Sequence, residues 1–235
     1  MLLKKTLLLI MIVLFSCVCA LWAGDSAVFV DLGFSPDGRT YMFGQHGVLS
    51  PSLRPWADIF VVDVANNSFV PNGRVSHTQD TAISAGQDGS GVLHLLLSRN
   101  TALTTRYNIN FDNQGLPLYI SREERPSPNG ERITFRDFIS GRSFTAQLVP
   151  TITGSGQNVS SRFQINLEAR NTETDQLIRS YIVGSPNFVR QRIMQYNIKR
   201  VLIDANGSSL IFVIEMRRVA ANGFDIRYMV EAVRL

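Results

Sequence analysis

The stretch Phe34-Ser35-Pro36-Asp37-Gly38 contains the turn signal that decides the fold class of this chain. Proline presets φ at the second position of a type I turn, and Asp tolerates the next position. Gly then adopts the left-handed conformation that restores strand pairing. Tripeptides of this form occur five times, at Pro36-Asp37-Gly38, Pro71-Asn72-Gly73, Pro128-Asn129-Gly130, Ala205-Asn206-Gly207 and Ala221-Asn222-Gly223. The repetition predicts antiparallel β-hairpins.

The segments between these turns have the residue patterns of β-strands. Residues 162–170 and 224–232 alternate between apolar and polar side chains, which predicts strands with one buried and one wet face. Residues 59–62 and 210–214 are apolar throughout, which predicts strands buried on both faces. Further strands are predicted at residues 28–30, 41–43, 133–138, 144–148 and 177–183.

Residues 90–107 depart from the strand pattern. Their large apolar side chains recur at roughly helical spacing, and Asp88 or Ser90 is placed to cap a helix. A helix packed on the sheet is predicted, with a strand at 92–97 as the alternative. The whole pattern predicts a mainly β, β-rich α+β fold with antiparallel hairpins and one central helix, in a single domain over residues 24–235.

The first 23 residues have the pattern of an export signal. Lys4 and Lys5 form a basic start, residues 7–15 are apolar, and small residues follow up to Ala23. Cleavage is expected after Ala23 or after Ala20, and an uncleaved N-terminal anchor is the alternative. The protein is therefore expected in the periplasm or outside the cell.

A lipid anchor is a second expectation for the same region. Leu14-Phe15-Ser16-Cys17 resembles a bacterial lipoprotein box, in which Cys17 would be lipidated and would start the mature chain. An acyl chain adds about 0.8 kcal/mol of membrane affinity per buried methylene. Lipidation would therefore attach the domain to the envelope.

Removal of the signal changes the charge and the cysteine content. The chain has 23 basic and 19 acidic residues, and loss of Lys4 and Lys5 reduces the formal charge from +4 to +2. The remaining arginines are spread without a basic run, so nucleic-acid binding is not expected. Both cysteines, Cys17 and Cys19, lie in the signal, so the mature domain is expected to lack disulfide and thiolate chemistry.

The two ends of the mature chain look alike. Residues 32–38 lead through Tyr41 and Phe43 to residues 59–63, and residues 201–207 lead through Leu210 and Phe212 to residues 226–230. Both follow the order strand, tight turn, strand, loop, strand, as in propeller blades. The first repeat resembles one blade of the Tol-system and WD-type β-propellers. This makes a small four-bladed propeller the alternative fold, with propeller-like blades at both ends in either case.

Over its full length the chain resembles a family of bacterial predicted secreted proteins of unknown function. The resemblance is carried by the Ser-Pro-Asp-Gly turn, the central helical segment and residues 196–201 before the late Asn-Gly hairpin. It implies export and supplies no catalytic residue.

Few residues carry the pattern of a reactive or metal site. His46, His77 and His94 lack the spacing of a metal-binding pair, so no metal or other cofactor is predicted. His46 is expected in a loop and His94 in a structural role. No Gly-x-Ser-x-Gly elbow or phosphate-binding loop occurs.

Two functions follow as hypotheses. The first is a non-catalytic binding module of the cell envelope that contacts another protein or a surface component. Trp56 beside Arg54 is the candidate contact, although the favoured interpretation of Trp56 is that it closes the edge of the core, with an exposed anchor as the alternative. The second is an envelope hydrolase that uses carboxylates near the first repeat, which would have to converge in one cleft: Asp31, Asp37, Asp58 and Asp63.

Overall fold

The computed structural model describes residues 24–122, 130–221 and 223–235. It is 58% strand and 9% helix, with antiparallel sheets, which confirms the mainly β prediction. The predicted export signal with Cys17 lies outside the described residues. So do Pro128, Asn129 and Asn222 of two predicted turns.

The first part of the chain forms four strands and two helices. The strands are β1 (Val28–Phe34), β2 (Thr40–Leu49), β3 (Arg54–Asp63) and β4 (Ser68–Thr78). The helices are α1 (Ser90–Arg99) and α2 (Thr101–Arg106), which confirms the central helical segment. They are separated at Asn100, whose side-chain amide donates to the Leu96 carbonyl.

The rest of the chain is almost entirely strand. Its elements are β5 (Leu116–Ile120), β6 (Arg132–Asp137), β7 (Arg142–Thr153), a 3-10 turn at Gly156–Asn158, β8 (Ser160–Asn171), β9 (Leu177–Val183), β10 (Arg190–Gln191), β11 (Ile193–Ile203), β12 (Ser209–Ala220) and β13 (Gly223–Arg234). The sequence patterns did not reveal β5, which follows the predicted helical segment.

The described strands form three antiparallel sheets. The N-terminal sheet has the order β1-β2-β3-β4, and the middle sheet has the order β13-β12-β11-β5. The outer sheet has the order β10-β8-β7-β6, and β9 pairs with the same edge of β8 as β10 does. The alternative four-bladed propeller would need four sheets, whereas the described residues form three.

The middle sheet lies between the other two. Its strand β12 is apolar throughout residues 210–214 because both of its faces are buried there. Leu210, Phe212 and Ile214 pack in the cluster shared with the outer sheet. Ile211 and Val213 point the other way, into the cluster shared with the N-terminal sheet. The prediction of a strand buried on both faces is confirmed.

The N-terminal sheet is also covered on both faces. Phe60 and Val62 of β3 face the middle sheet, whereas Ile59 and Val61 pack against the helical layer, which includes Leu93 of α1. The molecule is therefore a stack of helices, N-terminal sheet, middle sheet and outer sheet. Among the sheets of the described residues, the outer sheet is the one that keeps a broad solvent-exposed face, as the buried–exposed alternation of β8 shows.

The repeated turns differ in what they do. The turns at residues 36–38 and 205–207 close the β1–β2 and β11–β12 hairpins, and Gly38 and Gly207 have the expected positive φ. The turn at residues 71–73 was wrongly expected to be a hairpin. It bulges out of β4, where the pairing with β3 shifts between Phe60 and Val62. Gly130 precedes β6 on a connection between two different sheets.

The two similar ends of the chain pack against each other at their turns. Each supplies a three-stranded meander, β1–β3 and β11–β13. The Asn206 side-chain amide donates to the Pro36 carbonyl at 3.4 Å. A Cβ on Gly38 would lie 2.6 Å from a carboxylate oxygen of Asp204, so this contact requires glycine. The blade-like character of these ends stays a prediction.

Two other expectations were wrong. The charged residues of β13 do not form a wet face, because the middle sheet is covered on both sides; Glu231 is buried and pairs with Arg190. His46 lies inside β2 and is buried. This burial lowers its pKa, which the charge of Asp88 raises and that of His94 lowers by smaller amounts. His94 is exposed on α1 instead of filling a structural position.

Candidate interaction surface

The most exposed large apolar side chains of the described residues sit on the turn between β6 and β7. Phe138 is 89% exposed and Ile139 is 85% exposed. We call these two residues the apolar tip. Burying a side chain of this size contributes about 1.5–3 kcal/mol. Because the apolar tip stays exposed in the folded chain, a partner that buried it would gain this free energy on binding.

The apolar tip is held by the buried carboxylate of Asp137. One oxygen accepts from the Ile139 amide at 3.0 Å, and the other accepts from the Ser140 hydroxyl and from Arg142. Burial raises the pKa of Asp137, but these hydrogen bonds together outweigh it and leave the pKa below its ordinary value. These bonds from Ile139, Ser140 and Arg142 tie the two ends of the turn together.

Arg142 connects the turn to the middle sheet. Its guanidinium donates to the Ser140 hydroxyl at 2.7 Å and to the Gly207 carbonyl at 2.5 Å, and it lies over the Phe144 ring at 5.8 Å. Gly207 belongs to the β11–β12 turn, one of the repeated sequence motifs. The apolar tip thus stands on a framework that spans two sheets.

A second pair of exposed apolar residues lies at the same end of the outer sheet. Cross-strand pairing links Asp137 to Arg142 and Arg142 to Asn171, and the Asn171 amide donates to the Gln176 carbonyl. The strand β9 begins immediately after Gln176 with Leu177 and Ile178, both exposed. We call Phe138, Ile139, Leu177 and Ile178 the apolar end of the outer sheet.

Trp56 does not lie at this surface. It is only 5% exposed, its indole N–H donates to Asp25 at 2.8 Å, and Arg227 lies over its ring at 4.2 Å. Burial raises the pKa of Asp25, and the charge and hydrogen bonds of Arg227 and Trp56 only partly offset it. The ring therefore lies at the edge of the core, and the alternative prediction of an exposed anchor is wrong.

Arg54, the neighbour of Trp56 in the predicted contact, is partly exposed. Its guanidinium donates to the Gln79 carbonyl at 3.0 Å and pairs with the exposed Asp80 at 2.7 Å. A partner contact through Arg54 stays a prediction.

The four carboxylates of the hydrolase hypothesis serve separate local structures. Asp37 accepts from Ser35 and from the Arg39 amide in its exposed turn, and these bonds lower its pKa. Asp63 accepts from the Asn66 amide and side chain at the end of β3.

The two remaining carboxylates face the middle sheet from different strands. Asp31 lies on β1 and accepts from the Gly33 and Gly115 amides, while its burial raises its pKa. Asp58 lies on β3 and accepts from the Gln45 side chain. Asp58 and Asp63 are five residues apart on one strand, or about 16 Å. Asp31 lies opposite Phe43 and Phe43 lies opposite Phe60, so Asp31 on β1 and Asp58 on β3 are two strands apart, about 10 Å between backbones. The four carboxylates therefore do not converge at one point.

The comparisons with known proteins identify the family. The chain matches the family described as predicted secreted protein (DUF2259) over residues 42–234. The chain belongs to this family. The match confirms the sequence resemblance to predicted secreted proteins of unknown function, and the family description agrees with the predicted export of the chain. No curated protein and no solved structure gives a significant match.

Two observations bear on membranes and metals. In the residues that the structure describes, neither helix has the length and hydropathy of a membrane-spanning segment. Within residues 24–122, 130–221 and 223–235, no three His, Cys, Asp or Glu side chains are grouped as a metal site would require.

The sequence patterns placed Phe138 at the end of a strand and missed the apolar tip. A signal for it exists in Asp137-Phe138-Ile139-Ser140-Gly141, where Asp, Ser and Gly are turn formers around two apolar residues. Strand patterns assign such apolar residues to the core. Only the structure shows that they point to solvent.

Proposed function

We propose that this secreted protein is a non-catalytic binding module of the cell envelope, and that it docks on another envelope protein through the apolar tip. The observation that carries the proposal is the near-complete exposure of Phe138 and Ile139 on a turn that is fixed by buried polar groups. Rigid, exposed aromatic and aliphatic side chains are typical anchors of protein interfaces.

The construction of the turn supports a binding role. Asp137 and Arg142 form hydrogen bonds within the turn and to Gly207. Both therefore support the apolar tip without being part of its apolar surface. Ordering the turn before binding lowers the entropy cost of association. A loop that served only to connect β6 and β7 would need no such framework and no apolar residues.

The proposal places the protein in the periplasm, with the signal cleaved after Ala23. Cleavage at this point would leave a folded domain that begins near Gly24, because Asp25 is buried and the backbone of Asp25–Ala27 hydrogen bonds to Ile226 of β13. Anchoring through a lipidated Cys17 is the competing attachment. Mass spectrometry of the mature N-terminus separates a free Gly24 from a lipidated Cys17.

Site-specific photo-crosslinking in living cells tests the docking proposal. A photoreactive phenylalanine analogue is placed at position 138 of the full-length chain, and the matched control carries it at Thr134, an exposed residue of β6, the strand that leads into the turn. Position 138 should give a discrete adduct heavier than the chain, and Ile139→Asp in the same chain should abolish it. Position 134 should give none.

Two outcomes contradict the proposal. The first is the absence of an adduct at position 138, or an equal adduct at position 134. The second is an adduct of twice the mass of the chain, which would mean that the apolar tip contacts a second copy and not a different protein.

A further inference from the structure

The edge of the outer sheet formed by β9 is open. In the described part of the chain, β9 pairs only with β8, and no loop or side chain forms a hydrogen bond with the backbone of Leu177–Val183 on the opposite side. Residues 177–180 are all exposed, and Ile182 is 68% exposed. Residues 177–182 of this edge reach solvent, whereas Val183 at its end is buried. Backbone groups that point away from the neighbouring strand make such an edge a template for another strand.

The sequence of β9 is complementary to itself in one antiparallel register. If Ser180 lies opposite Ser180 of a second copy, Ile178 lies opposite Ile182 and Leu177 lies opposite Val183. Each of these three pairs joins apolar with apolar or small with small residues. Cross-strand pairs of this kind contribute about 0.2–1 kcal/mol each relative to alanine.

The single charge of β9 is also compatible with this register. Arg179 would face Tyr181 of the second copy and not another Arg179. Within one chain, the Arg179 guanidinium already lies over the Tyr181 ring at 5.1 Å, so the two side chains have the geometry for a cation–π contact. Like charges therefore do not oppose each other across the two-fold axis.

We propose that two copies of this chain pair through β9, antiparallel and about a two-fold axis at Ser180. The pairing continues the outer sheet from one copy into the next and buries the exposed Ile178 and Ile182 side chains. A closed two-fold contact uses the same surface on both copies, as most homodimers do. The inference does not rest on the docking of a different protein at the apolar tip.

A single cysteine at the axis tests the register. Both native cysteines precede residue 24, so Ser180→Cys places one thiol in residues 24–235. Opposed antiparallel residues have Cα atoms about 4.5–5.5 Å apart, within disulfide range. The full-length variant is exported from a bacterial host into its oxidising periplasm and analysed without reductant. The matched control is Thr134→Cys on the opposite edge strand, β6.

Ser180→Cys should give a disulfide-linked dimer with a 180–180 linkage in mass spectrometry, and Thr134→Cys should stay monomeric. Absence of the Ser180→Cys dimer, or equal dimer from both variants, would overturn the proposal. A linkage alone could arise from random collisions, so a charge exchange provides the second test.

Ser180→Lys and Ser180→Asp each place like charges opposite each other at the axis. Each variant alone should be monomeric at concentrations at which the native chain is dimeric by analytical ultracentrifugation. An equal mixture should form the mixed dimer, because opposite charges then meet. A monomeric native chain, or variants that remain dimeric alone, would refute the two-fold pairing at Ser180. Circular dichroism confirms that both variants are folded.

Discussion

The edge strand of the middle sheet, β13, and the edge strand of the outer sheet, β9, differ in how their free edges are hydrogen bonded. The edge of β13 is closed by polar groups of the N-terminal region. The Ile226 amide donates to the Asp25 carbonyl at 2.7 Å, the Tyr228 amide to the Gln45 side chain at 2.8 Å, and the Ala232 amide to the Asn67 side chain at 2.6 Å. The edge of β9 has no such contacts in the described residues.

The difference shows that an edge strand can be either part of the core or a contact surface. Closing the β13 edge ties the N-terminal sheet to the middle sheet, so its polar groups stabilise the fold. Leaving the β9 edge open contributes little to folding and exposes apolar side chains that another chain can bury. Substitutions at the β13 edge should therefore lower the free energy of unfolding, whereas substitutions at the β9 edge should weaken association.

The largest expected effect is at the buried ion pair beside the closed edge. Arg190→Met removes the guanidinium that donates to Glu231 at 3.1 Å and lies between the rings of Phe163 and Phe188. Leaving a buried carboxylate without its partner should lower the free energy of unfolding by about 3–5 kcal/mol in urea titrations. Arg190→Met combined with Glu231→Gln should regain more than half of the loss. No regain would mean that Arg190 acts only through ring packing.

The next effect concerns the amide that closes the edge of β13. Asn67→Gly removes the bonds to Ala232 and Glu231 but keeps the backbone freedom that the positive φ of 47° at this residue needs. A loss of about 1–3 kcal/mol is expected from the unsatisfied buried groups. Asn67→Ala should cost about 1–2 kcal/mol more because of left-handed strain. Equal stability of the two variants would show that strain is negligible.

The pH dependence of stability tests the burial of Glu231 on β13. Burial raises the pKa of Glu231 more than the hydrogen bond of Asn67 and the charge of Arg190 lower it. The folded chain thus binds this proton more tightly than the unfolded chain. Relative to Glu231→Gln, the native chain should lose stability as the pH rises above the ordinary Glu pKa of about 4.3. Urea unfolding between pH 4 and pH 7 measures this difference, and a constant difference would contradict it.

The smallest expected effect on stability is at the open edge. Ile182→Thr keeps a β-branched side chain at an exposed position, so the free energy of unfolding should change by less than about 0.5 kcal/mol. Val230→Thr, the matched change on buried β13, should cost at least about 1 kcal/mol. Urea unfolding of the two variants at low protein concentration makes the comparison. A large loss from Ile182→Thr would show that β9 belongs to the core.

Much of the fold was predictable because it depends on local chemistry. The turns at Gly38 and Gly207 require glycine in the left-handed conformation, and the alternation of residues 163–169 records one buried face. Continuous apolar runs in β3 and β12 indicated strands covered on both sides. The repeated motif at residues 71–73 misled the prediction, because the same turn chemistry also suits a bulge within a strand.

The candidate surface was less predictable. Phe138 and Ile139 have the composition of core residues, and their exposure depends on where the turn ends relative to the three sheets. Trp56 had the composition of a contact residue, but Asp25 and Arg227, distant in the chain, enclose it. Neither outcome can be read from neighbours in sequence.

By itself the sequence determined the strands, the tight turns, the helical segment and the signal pattern, because each depends on side chains within a few residues of one another. The tertiary structure alone decided the order of the stacked sheets, the closing of β13 and the opening of β9. Those features depend on which distant groups meet, such as Gln45 with Tyr228 and Asn67 with Ala232. Such meetings are set by the packing of whole sheets and not by local propensity.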